Sequence, residues 1–189
     1  MRNLLRVSIL IVMLLSALTT SAQSYLQKRT VAAVEAEIGI GAVMATHKIS
    51  QIGDNNLGVG ASVELRYNFA KVPVDLGLSF AASTMSRGKG ISGAIGANNF
   101  DSQTILLTSS YNFFQGRGAS IFLGLGMGVA FCDRDSVNSG SITRFCAMPR
   151  VGVEFAQRIR LFASYKVYEK ANNQFMFGVG FVLGGGKRD

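Results

Sequence analysis

The segment LGVGASVELRYNF, residues 57–69, alternates without a fault. Leu57, Val59, Ala61, Val63, Leu65, Tyr67 and Phe69 fall on one parity, and Gly58, Gly60, Ser62, Glu64, Arg66 and Asn68 on the other. A period of two sends these sets to opposite faces of a β-strand. The strand is long, where strands of globular proteins average about 5–6 residues.

The pattern recurs on both sides. Val74–Ser83 sets Val74, Leu76, Leu78 and Phe80 against Asp75, Gly77, Ser79 and Ala81. Ala119–Cys132 sets Ile121, Leu123, Leu125, Met127, Val129 and Phe131 against Phe122, Gly124, Gly126, Gly128, Ala130 and Cys132. Gln174–Leu183 sets Phe175, Phe177, Val179 and Phe181 against Met176, Gly178, Gly180 and Val182. Four further segments alternate less cleanly: Ala32–Ala42, Asp101–Phe113, Thr143–Phe155 and Arg160–Tyr168. Leu106 and Phe162 break the rule there, each standing among polar residues. The spacing predicts eight strands and an all-β fold.

The sizes of the two faces decide what lies outside. One face carries the bulky apolar residues. The other is mostly Gly, Ser and Thr with a few charges, which suits the narrow interior of an eight-stranded barrel. Outward apolar and inward polar is the membrane arrangement, and about 9–11 residues cross a bilayer on a tilt. The breaks alternate in length. Val43–Asn56, Thr84–Phe100, Asp133–Ile142 and Glu169–Asn173 are the longer set, and Ala70–Pro73, Phe114–Gly118 and Ala156–Ile159 the shorter. Long outer loops and short periplasmic turns have this asymmetry. Tyr67, Phe69, Tyr111, Phe113, Phe155 and Phe181 gather at the short-turn end as one interfacial girdle. Phe80, Phe131, Phe145, Phe175 and Phe177 fall toward the other. The expectation is an eight-stranded antiparallel up-and-down transmembrane β-barrel.

The first 22 residues read as a cleaved signal peptide: Arg2 and Arg6, an apolar run from Val7 to Leu18, then Thr20-Ser21-Ala22. The run is too short for a membrane helix, which needs roughly 20 residues. No Cys stands at the cleavage site for lipid anchoring. Residues 23–189 are then one barrel domain, exported and placed in the outer membrane of a Gram-negative cell. Losing Arg2 and Arg6 lowers the formal net charge from +8 to +6. The cations are scattered, so anionic lipid is the expected partner and nucleic acid is not.

Taken together, strand number, alternation, turn asymmetry and the closing segment Phe175–Leu183 resemble the small OmpA/OmpX-type outer-membrane barrels across Thr30–Leu183. That resemblance implies handling by the outer-membrane assembly machinery. Barrels of this type often end on an aromatic residue, whereas this chain closes on Gly184-Gly185-Gly186-Lys187-Arg188-Asp189, leaving Phe181 as the terminal aromatic. The functional expectation is a non-enzymatic structural or surface-binding barrel acting through its outer loops. A narrow channel and a lipid A-modifying enzyme are the alternatives.

Candidate sites follow from the same register. Glu35, Glu37, Glu64, Asp75 and Glu154 face Arg66, Arg144, Arg150, Arg160 and Lys166 on the inward parity, where buried charge demands pairing. Arg66 and Glu64 are placed to face Glu35 and Glu37. Folding the hairpin about Ser139 opposes Cys132 and Cys146, predicting a disulfide in an oxidising compartment. The same fold pairs Ala130 with Met148, Gly128 with Arg150 and Gly124 with Glu154. Lys48, Arg87, Lys89, Arg134 and Lys170 lie in or beside the outer loops, suited to lipopolysaccharide phosphates. No metal or cofactor motif occurs, and the glycines of Gly124–Gly128 read as small lumen residues rather than a helix-dimer motif. A barrel enzyme would need a Ser–His pair. The one histidine, His47, stands near Ser50, Ser83, Ser86 and Asp54, beside the cation Lys48.

Overall fold

The computed structural model describes residues 33–46, 57–69, 72–86, 99–113, 119–133, 141–156, 158–167 and 173–184. The expected signal peptide lies outside these residues. Eight strands follow in order: β1 Val34–Ala45, β2 Leu57–Asn68, β3 Val74–Ser86, β4 Asn99–Phe113, β5 Ala119–Asp133, β6 Ser141–Phe155, β7 Ile159–Lys166 and β8 Gln174–Leu183. Each pairs antiparallel with its neighbour in sequence, and β8 closes on β1. Closure removes the free edges that an open sheet would expose to lipid.

Several strands run further than their alternation alone suggests. β1 reaches Ala45, β3 reaches Ser86 and β4 begins at Asn99. The residues added to β1 and β3 keep the parity: Val43 and Met85 are buried and Met44 is exposed. The connections at one end, 46–56, 87–98, 134–140 and 167–173, exceed those at the other, 69–73, 114–118 and 156–158. The shortest turn is closed by a hydrogen bond from Arg158 N to Phe155 O at 3.0 Å, with Ala156 in the left-handed region at φ 49°.

The barrel is inside-out relative to a water-soluble domain. Leu65, Leu78 and Leu107 are each more than half exposed, while Arg66 is 1% exposed and Asp75 fully buried. Water would penalise that wall heavily, since each buried leucine gains about 1.5–3 kcal/mol over an exposed one. A hydrocarbon surround removes the penalty, so this is a transmembrane barrel. Aromatics mark its two ends. Tyr67 meets Phe69 edge-on at 5.2 Å and Tyr111 packs on Phe113 at 4.6 Å toward the short turns. Tyr165, Phe175 and Phe177 form a continuous set toward the longer connections.

One irregularity has a covalent cause. Pro149 faces outward on β6 and has no N–H to donate. The β6–β7 ladder stops at Arg150↔Ser164 and resumes only as an isolated bridge, Ala147↔Val167. β7 is accordingly the shortest strand.

Candidate functional site

The lumen is filled in two layers. The charged layer lies toward the short turns, because its residues come from the start of β1, β3 and β7 and the end of β2 and β6. Arg66 donates from Nε to Glu35 Oε2 and from Nη1 to Glu37 Oε2, each at 2.8 Å. Its Nη2 lies 3.6 Å from Glu154 Oε2. Arg160 donates to Glu154 at 2.6 Å, reaches Glu37 at 3.4 Å and stands 3.9 Å from Asp75. Asn112 donates to Asp75 at 3.0 Å. Arg150 grips Glu64 across the barrel with both Nη atoms, the Nη2–Oε1 bond being 2.8 Å, and Nη2 also donates to Ser110. All of these side chains are buried. The pairing differs in one respect from the expectation: Arg66 takes both β1 glutamates, and Glu64 turns across the lumen to Arg150.

An aromatic ring sits inside this network. The Phe122 ring has the Arg160 guanidinium 4.2 Å above its centroid and that of Arg150 at 5.8 Å. Delocalised guanidinium cations favour such faces when desolvated. Glycine makes space for both partners: a Cβ on Gly152 would stand 2.6 Å from Phe122 Cε1, and one on Gly124 would stand 2.9 Å from Arg150 Nε.

The second layer is apolar and lies toward the longer connections. Val43, Ala45, Met85, Leu106, Ala130, Cys132, Cys146, Met148 and Met176 form one buried cluster, with Phe162 packed against it. A small polar set bridges three strands at the same end: Ser83 shares a hydrogen bond with Ser102 at 3.0 Å and donates to Gln174 Oε1 at 3.1 Å.

The disulfide expectation is overturned. Cys132 pairs in register with Ile142 and Cys146 with Gly128, and no disulfide joins the two cysteines. The hairpin folds about a point two residues nearer the N-terminus than Ser139, so Ala130 meets Arg144 and Gly124 meets Arg150. Each cysteine is thereby four residues from facing the other, roughly 13 Å along the strand, far beyond disulfide reach. Both thiols stay on the lumen face because the slip is even.

The remaining expected residues separate cleanly. Lys166 is buried in the lumen as its parity requires, but it lies apart from the paired charges and its Nζ has no hydrogen-bond partner among the described residues; Arg144 is partly buried near the start of β6. Ser83 points into the lumen, not toward a lipid substrate. The backbone of Ser86 closes β3. Lys48, Arg87, Lys89, Arg134, Lys170, His47, Ser50 and Asp54 lie outside the described residues. Among the described residues no group of His, Cys, Asp and Glu is arranged to hold a metal ion.

No protein-family model and no curated protein sequence matches the chain. Solved structures do. Neisserial surface protein A superposes with a TM-score of 0.58 at 12% identity, covering 82% of this chain and 99% of that one. The chain has the fold of the small eight-stranded outer-membrane barrels. The N-terminal β-barrel domain of Pseudomonas aeruginosa OprF follows with a TM-score of 0.49 at 16% identity, covering 81% and 99%. The outer membrane enzyme PagL gives 0.47 at 14% identity, covering 79% and 98%. These likenesses concern the backbone.

Proposed function

We propose that the protein is a non-enzymatic outer-membrane barrel with a plugged lumen, whose role is to hold its longer loops at the cell surface for binding. The observation that carries this reading is the cross-lumen grip of Arg150 on Glu64, backed by Phe122 and the Leu106 cluster. A water-filled path requires solvated lumen side chains, and these are buried. A structural or binding role through the loops then remains. The proposed contacts are the loop cations Lys48, Arg87, Lys89, Arg134 and Lys170, matched to lipopolysaccharide phosphates.

The non-enzymatic reading draws on Ser83. A lipid-modifying enzyme needs its nucleophile at the membrane face, and this serine is committed inward to Ser102 and Gln174. The deciding experiment is planar-bilayer conductance of the refolded chain, paired with lipopolysaccharide binding by R87S/K89S. A quiet bilayer and weakened, less salt-sensitive binding are expected. Steady large conductance, or binding unchanged in the variant, overturns the respective half.

A further inference from the structure

Lys166 stands outside the ion-pair network. It is 1% exposed, and its Nζ has no hydrogen-bond partner. Its cross-strand partner on β8 is Gln174, equally buried. Gln174 Oε1 accepts from Ser83, but its Nε2 donates to nothing. Two directly opposed residues thus carry buried donors with no acceptor.

Among the described residues no carboxylate neutralises the ammonium. The five lumen carboxylates belong to the other layer, where Arg66, Arg150 and Arg160 engage them. The titratable groups acting on Lys166 among the described residues are the thiols of Cys146 and Cys132. An isolated cation in such surroundings is costly, and buried donors are normally satisfied. The wall is also locally unzipped here, since the β6–β7 ladder is interrupted at Pro149, next to Lys166 on β7.

We propose that Lys166 and Gln174 bind a small monovalent anion of halide size in the apolar half of the lumen. The ammonium supplies the charge and up to three donors, and the amide adds a directional one. Both side chains are only 1% exposed, so the occupant proposed is a small ion rather than a bulky oxyanion. The buried cluster of the same layer includes Met85, Met148, Met176, Cys132 and Cys146, soft polarisable side chains suited to a weakly hydrated anion.

The test uses the refolded full-length protein in detergent. Crystals soaked in sodium bromide are expected to give an anomalous peak beside Lys166 Nζ and Gln174 Nε2. In solution, exchanging gluconate for bromide at constant ionic strength is expected to raise the urea midpoint saturably, and not in K166M. That variant removes an unpaired charge and keeps the packing volume, so it is expected to fold; Gln174→Leu provides a second, weaker-binding variant. A water at the site, a peak only on the surface, or equal shifts in wild type and K166M overturns the proposal. So does a lumen peak without a saturable shift, which marks an adventitious ion only.

Discussion

The Arg160 guanidinium lies over the Phe122 ring, 4.2 Å from its centroid, while its Nε holds Glu154 at 2.6 Å. Phe122 is therefore both plug and support. Phe122→Ala is expected to destabilise the barrel by about 3 kcal/mol, the usual cost of emptying a packed phenylalanine site. It is also expected to open measurable conductance in planar bilayers. A destabilised but silent barrel would show that the ion pairs close the lumen without the ring.

Arg66 compensates three carboxylates at once. Arg66→Met leaves Glu35, Glu37 and Glu154 short of a partner. Breaking one side of a buried ion network costs about 3–5 kcal/mol. The urea midpoint of the refolded variant is expected to fall accordingly. Adding Glu35→Gln is expected to recover part of the loss, because it removes an orphaned charge. No recovery would mean that shape rather than charge governs this layer.

The fold was legible because parity is robust: in residues 57–69 every odd side chain is outward and every even one inward or small. The residues that broke the parity proved the most informative. Leu106 and Phe162 looked like faults in the alternation, yet they fill the lumen where facing glycines leave space. A Cβ on Gly178 would stand 2.5 Å from Phe162 Cζ. What parity cannot supply is register. An error of four residues between β5 and β6 keeps every side chain on its face, so parity conveys which way a residue faces but not the Cys132–Cys146 pairing, which was wrong. Partner choice within the lumen was hidden for a related reason. Arg150 meets Glu64 across the barrel, and no local spacing encodes a contact between β6 and β2.

Cys132 and Cys146 are expected to titrate as two thiols when the non-reduced protein is denatured and alkylated. Mass spectrometry should show two adducts per chain. An unmodified chain that gains two adducts only after reduction would mean that β5 and β6 can slip into the alternative register.

The lipid-facing wall makes an equally direct prediction. Leu78 pairs with Leu65 on β2 and Leu107 on β4, and all three are more than half exposed. Leu78→Arg is expected to cost about 2–4 kcal/mol near the bilayer midplane. The readout is refolding yield and urea midpoint in phospholipid vesicles. A neutral result would remove the transmembrane assignment of this belt.

Glycine positions separate packing from lipid effects. On Gly178 an added Cβ would meet Phe162 Cζ at 2.5 Å and the Ile40 carbonyl oxygen at 2.6 Å. The backbone oxygen cannot step aside, so Gly178→Ala forces the β1–β8 seam apart. On Gly60 the nearest atoms are Val43 Cγ2 at 3.0 Å and Met176 Cε at 3.3 Å, both side-chain ends that can give a little. Overpacking typically costs about 1–3 kcal/mol. Gly178→Ala is expected in that range and Gly60→Ala clearly below it, both read as urea midpoints in the same vesicles. The order matters more than the size. If Gly60→Ala proved the more damaging, the Met176 side of the apolar layer would be the rigid part of the lumen, and the β1–β8 closure the part able to yield.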